Sequence, residues 1–484
     1  MRRRQGPGPV GWFARRLVDR FGLVQLGDQG PFTSTRQAEC LNPGRVSGAN
    51  PVLGPPTHLS LTTDEAGWLS LHGFYSRGIV AAPNAIVLGG YGSGKSSWVK
   101  TTYVLRALDS GARVLVFDKK RQHQAGGDEG EYGRAVEVAG GQRVPLDRRP
   151  GLGAVINVLD PVIAPVGSED STVGQDELLL MAAEVACGGP LRDGPDAAPA
   201  FALRQAHRAA LARARAEGRV PVLRDVVDAL FSPAVSGVPG PVGADGTPVL
   251  AARGVVTVET LTRWGLPVAL GLERFTTGDL SGLIDGVTSG PDGSALDLTA
   301  SFLVIDTSGM PDDSPALGMM MALVGAFIQA RWTLVPGPKI IILEEAYAVD
   351  RLDGVAGVFR AVAKRGRASG TAVVTVLHHL SDLRPDSDLW ALVRETEVQH
   401  VFLQDKTDDA VQCVELFGLD EALAGVVTTL HQGTHLLLVG RRPPEVVQQI
   451  RTGLDEWVTD TDAGMLAPGE PAPRLTGEEA SHVR

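Results

Sequence analysis

The stretch that decides the fold is Asn84–Ser97, "NAIVLGGYGSGKSS", in which a short apolar run leads directly into a glycine-rich loop. The loop matches the pattern G-x-x-x-x-G-K-[ST], with Gly89, Gly94, Lys95 and Ser96 at the diagnostic positions. A strand candidate precedes the loop and a helix candidate follows it, which is the context that this pattern requires. The sequence therefore predicts a phosphate-binding loop rather than an ordinary glycine turn.

The flanking segments predict a parallel sheet. Residues 95–111 have helical apolar spacing and end at a glycine, and "ARVLVFDKK" at 112–120 has the composition of a second buried strand. Strand, helix and strand within about 35 residues form a βαβ unit. Two more strand candidates are "GRAVEVAGGQRVPLD" at 133–147 and "AVINVLDP" at 154–161. Further apolar runs alternate with helices towards the C-terminus, which indicates one twisted, mainly parallel sheet covered on both faces.

The chemistry of the loop follows from its glycines, which let backbone N–H groups turn inward around phosphate oxygens at the positive end of the next helix. We expect Lys95 to reach the β- and γ-phosphates of ATP and Ser96 to ligate Mg²⁺. Dinucleotide folds are disfavoured because the G-x-G-x-x-G order is missing, and GTPases because no N-K-x-D tetrad occurs. The predicted nucleotide-binding residues are Gly89, Gly90, Tyr91, Gly92, Ser93, Gly94, Lys95, Ser96 and Ser97.

A second acidic feature ends another strand candidate, "KIIILEEAYAV" at 339–349, where four apolar residues are followed by Glu344 and Glu345. On a strand parallel to that of the phosphate loop, the first acid would hold the water shell of Mg²⁺ and the second would act as general base. We assign these roles to Glu344 and Glu345 respectively. The alternative is a pair of solvated acids that complement a helix dipole.

Composition restricts the function classes. The 484 residues include 43% hydrophobic and 21% charged side chains, as in soluble globular proteins, and carry a net charge of −11. Such a surface repels polyanions, so any contact with nucleic acid must be local, in a pore or on a loop. Three widely spaced cysteines, Cys40, Cys187 and Cys413, fit a reducing compartment. We expect a cytoplasmic protein without a membrane span.

The chain divides into five predicted segments. Residues 1–60 form a basic amphipathic segment and linker that would lie on a membrane surface or a partner, or pack as a terminal helix. Two parts of an ATPase core at 61–169 and 291–460 flank a helical insertion at 170–290, where helix-like runs are separated by Gly/Pro-rich breaks. Residues 461–484 have the composition of a disordered tail.

The ordered series "GGYGSGKSS", "GARVLVFDKK", "FLVIDTSGMPDD", "IIILEEAYAV", "AKRGRASGTAVVTVLHHLSDL" and "GTHLLLVGRRPPEVV" resembles the conjugative type IV secretion ATPases of the TraC/VirB kind. This family lies within the HerA/FtsK group of hexameric P-loop motors, and the resemblance covers roughly residues 60 to 450. It implies a RecA-like P-loop NTPase core with an inserted all-helical subdomain. It also implies ATP hydrolysis by a homo-hexamer.

Two motifs depart from the family pattern. The family has Asp then Glu at the second acidic motif, whereas Glu344 stands first here, which leaves the metal-water geometry and the turnover rate open. The next strand in the family ends in a Thr-Gln pair that senses the γ-phosphate, and this chain has Leu377 and His378 there. His378 can donate a hydrogen bond, or it can be a structural strand-end histidine.

The resemblance also implies an arginine supplied in trans to the γ-phosphate of a neighbouring subunit. Candidates are Arg365 and Arg367 in "AKRGRASG", and Arg441 and Arg442 after the last strand, each of which could equally be a solvated surface residue. Asp118 and Asp306 end strand candidates where open α/β sheets bind ligands. For Asp306 a helix-capping role is an equal alternative.

We therefore expect a motor ATPase that energises DNA or protein transfer through a conjugative type IV secretion apparatus. Its partners would be the secretion channel and coupling proteins, with DNA contact in a central pore and peripheral contact with the inner face of the membrane as further expectations. The alternatives are a hexameric DNA translocase of the FtsK/HerA kind and a nucleotide-gated assembly subunit with low turnover.

Overall fold

The computed structural model describes residues 54–460, except for 125–126, 148, 150, 162–172, 192–196, 235–255, 279–280, 298–299, 351–354 and most of 311–334. Residues 1–53 of the predicted N-terminal amphipathic segment and linker, which spans 1–60, lie outside the described residues, as does the predicted tail at 461–484. The strands are β1 His58–Ser60, β2 Ala66–Gly67, β3 Ala85–Leu88, β4 Arg113–Asp118, β5 Arg121–Gln124, β6 Gly127–Gly130, β7 Gln142–Pro145, β8 Phe302–Asp306, β9 Lys339–Leu343, β10 Thr371–Leu377, β11 Val398–Phe402, β12 Thr434–Val439 and β13 Glu445–Gln449.

The helices are named in chain order. The phosphate-loop helix, α2, runs Lys95–Trp98, is π-helical over Val99–Leu105 and returns to α-helix over Arg106–Asp109. The others are α1 Leu71–Ser76, α3 Gly133–Ala139, α4 Val173–Cys187, α5 Ala198–Ala216, α6 Leu223–Phe231, α7 Val258–Thr276, α8 Tyr347–Asp350, α9 Val355–Ser369, α10 Asp388–Glu395, α11 Thr407–Leu416, α12 Ala422–Val427 and α13 Gly453–Thr459, with a 3₁₀ turn at Leu380–Asp382.

One large mixed sheet organises the chain, with the strand order β2-β1-β13-β12-β11-β3-β10-β9-β4-β8-β7. From β11 to β7 every neighbouring pair is parallel, whereas β12, β13, β1 and β2 extend the sheet in antiparallel pairs. A small hairpin of β5 and β6 stands apart from it. The expected mainly parallel α/β sheet is confirmed.

Both faces of the sheet are buried, as near-continuous apolar strands require. Alternate residues of each strand pack into two hydrophobic cores, one on each face of the sheet. Leu115 and Ile341 pack on the face covered by α4 to α7 and α9, while Val116 and Ile342 pack on the face covered by α2. The described residues between β7 and β8 contain helices and no strand of the sheet, which agrees with a helical insertion. Its boundaries remain predictions.

Two expected strands differ from the structure. Residues 133–147 begin as helix α3 and only then form β7, because Gly140 at φ 65° ends the helix with a left-handed cap. Short Ala/Val/Glu runs fit either a helix or a strand, which is why the pattern was ambiguous. Within residues 154–161 the structure has only an isolated bridge between Val155 and Ser289. Among the described residues, no helix combines the length and hydropathy needed to cross a bilayer.

Three buried histidines from β1, β11 and β12 pack under α2. His58 is 5% exposed, and His400 and His435 are fully buried. The Tyr103 hydroxyl lies 2.6 Å from His400 Nε2, and His400 Nδ1 lies 3.0 Å from His435 Nε2. The ring of Trp98 meets that of His435 at 4.4 Å between centroids. The helix that carries the phosphate loop therefore rests on neutral imidazole rings.

Burial lowers the pKa of all three rings, to about 4 for His58 and about 3 for His400. Because the folded pKa lies below the unfolded value of about 6.5, their stabilising contribution is complete above pH 6.5 and is lost as the pH falls towards 3. Each ring contributes a slope of up to about 1.4 kcal/mol per pH unit in that window.

We predict that His435→Gln, whose amide can still partner His400, flattens the fall of the unfolding free energy between pH 6.5 and 4. The matched control is His431→Gln at an exposed histidine, which should leave the pH dependence of the unfolding free energy as in the wild type. Chemical denaturation at several pH values measures both. Equal slopes for the two variants would contradict the account.

Candidate active site

The parallel register brings three chain segments to one edge of the sheet. Leu88 of β3 pairs with Leu377 of β10, and Thr375 of β10 pairs with Leu343 of β9. The phosphate loop, His378 and the glutamate pair follow directly after these residues. β10 lies between the strand of the phosphate loop and the strand of the glutamates, which places His378 between the two motifs.

The loop has the backbone geometry that its glycines allow. Gly92 and Gly94 have φ values of 69° and 102°, and helix α2 begins immediately after Gly94. The hydroxyl of Ser93 donates to the Gly90 carbonyl at 2.8 Å. A β-carbon on Gly94 would lie 2.9 Å from the backbone nitrogen of Gly433, whereas one on Gly92 would meet nothing within 4 Å. Position 94 therefore requires glycine because of both its φ and the lack of space for a β-carbon, whereas position 92 requires glycine because of its φ alone.

Lys95 is 5% exposed and directs its ammonium into this loop. Its Nζ donates to the carbonyls of Gly89 and of Gly90, the latter at 2.7 Å, and lies 3.2 Å from His378 Nδ1. Burial, followed by the neighbouring charge of Lys120, lowers the Lys95 pKa to about 8. The ammonium is thus held by weak backbone acceptors, which an anionic phosphate oxygen would replace with a stronger partner.

Glu345 faces the cavity in front of the loop. Its φ of 54° is left-handed, so the chain turns sharply after β9. His378 Nε2 donates to Glu345 Oε1 at 3.2 Å while His378 Nδ1 accepts from Lys95, which fits a neutral ring protonated at Nε2. Burial alone would raise the Glu345 pKa, but the His378 hydrogen bond and the Lys120 charge outweigh it and lower that pKa. Glu345 is therefore a carboxylate at neutral pH.

Glu344 has a different environment although it is the adjacent residue. It is 1% exposed, accepts a 2.6 Å hydrogen bond from the Tyr132 hydroxyl and does not line the cavity. Its Oε2 is buried and has no hydrogen-bond partner among the described residues. Burial raises its pKa despite the nearby Lys120. Its assignment as the metal-side acid remains a prediction.

Sequence reasoning missed three charged residues that complete the site. Lys120, two residues after β4, lies 3.2 Å from Ser96 Oγ, 3.6 Å from Glu131 Oε2 and 3.8 Å from Glu345 Oε1. Glu131 also pairs at 3.3 Å with Lys100, which is fully buried. The only local signal for these residues was the "DKK" that follows the second strand. Glu131 comes to the site through the β5–β6 hairpin, which no spacing rule predicts.

The two aspartates at strand ends support the site rather than line it. Asp118 is fully buried and accepts from the backbone nitrogens of Tyr132 at 3.1 Å and Lys120 at 3.2 Å, and burial raises its pKa well above the usual range. Asp306 pairs with Arg143 and accepts from the Ser308 nitrogen at 2.8 Å. Asp118 thereby fixes the chain that carries Lys120.

Of the four arginine candidates, the two with described side chains, Arg441 and Arg442, do not line the phosphate cavity of their own chain. The side chains of Arg365 and Arg367 lie outside the described residues. Arg441 and Arg442 are exposed at the end of the sheet opposite to the cavity. β12 runs antiparallel to β11, so β12 ends beside Val398, the first residue of β11. Arg442 lies over the ring of Phe74 at 5.8 Å. A role towards a second subunit therefore stays a prediction for these residues.

The loop, Lys120, Glu345 and His378 line one cavity of about 1170 Å³. The C-terminal part of the described chain also contributes polar residues to its lining, namely Gln432, Arg451, Glu456 and Asp460. A cavity of this size is large enough for a nucleotide. The predicted phosphate-binding loop and these polar side chains line the same cavity.

The structure superimposes on that of VirB4 from Thermoanaerobacter pseudethanolicus with a TM-score of 0.60 and 18% sequence identity, covering 84% of this chain and 100% of that chain. The chain has a VirB4-like fold. Plasmid coupling protein TrwB matches with a TM-score of 0.48 and 15% identity in complex with a non-hydrolysable ATP analogue, covering 84% of this chain and 96% of TrwB. No family model and no curated protein matches the sequence. The VirB4 match confirms the expected RecA-like fold.

The two glycines with positive φ provide a matched test of the loop. We expect Gly94→Ala to lower the free energy of unfolding by about 2–3 kcal/mol, because it combines backbone strain with a clash against Gly433. Gly92→Ala should cost about 1 kcal/mol, since only its φ is unfavourable. Chemical denaturation of both variants checks the difference. A Gly92→Ala variant as unstable as Gly94→Ala would contradict the open space around Gly92.

Proposed function

We propose that this chain is a Mg²⁺-dependent ATPase that works as a motor in a type IV secretion apparatus. The observation that carries the proposal is the joining of Lys95 and Glu345 through His378 at the mouth of a phosphate-loop cavity. A phosphate-binding lysine and a cavity-facing carboxylate of lowered pKa are the two groups that nucleotide hydrolysis requires of the protein.

The residues present fit both ATP and Mg²⁺. The loop offers inward backbone donors and Lys95 for phosphates. Ser96 Oγ and Glu131 offer the oxygen ligands that Mg²⁺ prefers, and the buried Oε2 of Glu344 lacks a hydrogen-bond partner among the described residues. When bound, Mg²⁺ would neutralise charge on the β- and γ-phosphates. Glu344, which does not line the cavity, would act on the water shell of Mg²⁺.

The roles of the chain's own groups follow from this geometry. Glu345 orients a water molecule and accepts its proton as the water oxygen bonds to the γ-phosphorus. The bond from that phosphorus to the β,γ-bridging oxygen breaks, so ADP and phosphate leave. Lys95 and the loop N–H groups stabilise the charge that develops on the phosphate oxygens. His378 holds the Glu345 carboxylate and couples its position to that of Lys95.

The assignment to secretion rests on the sequence resemblance to the TraC/VirB ATPases, and the VirB4-like fold supports it. On this proposal the active form is a homo-hexamer, an arginine reaches the γ-phosphate from the neighbouring subunit, and Arg365 and Arg441 are the candidates. The partners are the secretion channel and coupling proteins, at the inner face of the membrane. The burial of Glu344 favours one alternative, a subunit of low turnover whose nucleotide state controls assembly.

Steady-state phosphate release tests the enzyme proposal. We expect Lys95→Ala and Glu345→Gln each to lower kcat by at least about 100-fold, because each removes a group that acts in the transition state. Glu415→Gln, at an exposed glutamate, is the matched control and should retain the wild-type rate. A wild-type protein that turns over no faster than the Lys95→Ala variant would refute the ATPase and leave the low-turnover alternative.

Addition of duplex DNA separates the secretion motor from a DNA translocase. With a net charge of −11 the chain should bind DNA weakly, so we expect stimulation of the ATPase by less than about threefold at 150 mM salt. A DNA pump would instead show strong stimulation that falls steeply as salt increases. That second outcome would replace the secretion proposal with the translocase.

A further inference from the structure

Lys120 holds an unusual position for a cation in a metal-dependent nucleotide site. Its Nζ lies within 4 Å of three oxygens, on Ser96, Glu131 and Glu345. One of these, Ser96 Oγ, is the hydroxyl that the phosphate-loop pattern assigns to Mg²⁺. The ammonium therefore lies where the divalent ion has to enter.

The charges around Lys120 favour a cation at this point. Burial would lower its pKa, but the carboxylates of Glu344, Glu131 and Glu345 outweigh that effect and raise the pKa above its ordinary value. The carboxylates come from different parts of the fold: the Glu344–Glu345 pair follows β9, and Glu131 follows the β5–β6 hairpin. Buried oxygens on Glu131 and Glu344 have no hydrogen-bond partner among the described residues. These oxygens need a positive charge nearby, and Lys120 supplies it.

The backbone fixes where this ammonium starts. The Lys120 nitrogen donates to Asp118 Oδ1 at 3.2 Å, and Asp118 Oδ2 accepts from the Tyr132 nitrogen, which anchors the residue next to Glu131. The side chain is 31% exposed, so its flexible four-carbon stem has a solvent-facing route away from Ser96. The neighbouring Lys119 differs, because its amine donates to the Met310 carbonyl and is only 9% exposed.

We propose that Lys120 is an internal cation of the metal subsite, which occupies the position between Ser96, Glu131 and Glu345 and must be displaced when a divalent ion binds. A monovalent ammonium and a divalent ion repel each other at these distances, so their occupancies exclude one another. The inference rests on the proposed nucleotide site and deepens it. It makes Lys120 a residue that sets the metal affinity of the site, while hydrolysis depends on Lys95 and Glu345.

The test is a titration of the nucleotide-free full-length protein with Mn²⁺, followed by the electron paramagnetic resonance signal of the free ion. We expect Lys120→Gln to bind Mn²⁺ at least about tenfold more tightly than the wild type, because the carboxylates lose their internal counter-ion. Lys120→Arg keeps the charge and should bind as weakly as the wild type. Lys119→Gln removes the same charge one residue away and should leave the affinity within about twofold of the wild type.

Two results would overturn the inference. One is an unchanged Mn²⁺ affinity in Lys120→Gln, and the other is an equal gain in Lys119→Gln, which would reveal a general charge effect. The double variant Lys120→Gln/Glu131→Gln should lose most of the gain, since it removes one of the carboxylates that would hold the ion. Because no nucleotide or turnover is involved, these results stand whether or not the ATPase measurement succeeds.

A measurement on the wild type covers the case in which Lys120→Gln does not fold. Acylation of lysine amines, read by mass spectrometry, should become at least about threefold faster at Lys120 when Mg²⁺ replaces EDTA, because the displaced amine moves into solvent. The rate at Lys119 serves as the internal control and should not change. A Lys120 rate that is unchanged or slower with Mg²⁺ would contradict displacement.

Discussion

The parallel pairing of β3, β10, β9 and β4 is the constraint on which the site depends. Leu88 and Leu377 end their strands side by side, and Leu343 ends beside Thr375, two residues earlier on β10, so that the segments after these strands share a single edge. β4 pairs with β9 in the same direction and carries Asp118 and then Lys120 to that edge. A register shift of one residue in any of these strands would turn its end residues to the other face and separate the charged groups.

In the ligand-free site, carboxylates and ammonium groups of the protein neutralise one another. Glu131, Glu344 and Glu345 lie among Lys95, Lys100 and Lys120, and several of these groups are almost fully buried. Nucleotide alone would add negative charge and metal alone would add positive charge. The arrangement therefore favours their entry together, with the lysine ammoniums exchanging protein oxygens for phosphate oxygens.

Much of this could be predicted from sequence, because the glycine loop, the βαβ spacing and the apolar runs are local patterns. The assignment of Glu345 as the water-side acid was local too, and the structure does place Glu345 at the cavity. The burial of Glu344 under Tyr132, and the positions of Lys120 and Glu131, depend on how the chain returns to the end of β4 after the β5–β6 hairpin. No periodicity encodes such contacts. The strand expected within 133–147 begins as a helix, because the short apolar run at its start fits a helix as well as a strand until Gly140 ends it, and only Gln142–Pro145 forms a strand.

The central claim is that Lys95 and Glu345 act on one bound nucleotide, Lys95 on its phosphate oxygens and Glu345 on the attacking water. Its most direct test is a single-turnover experiment, in which radiolabelled ATP and Mg²⁺ are bound to excess protein and the bound nucleotide is analysed over time. The account predicts that the wild type converts bound ATP to ADP, while Glu345→Gln binds as much nucleotide and retains it as ATP. Conversion at the same rate in both proteins would contradict the assignment of Glu345 and the account built on it.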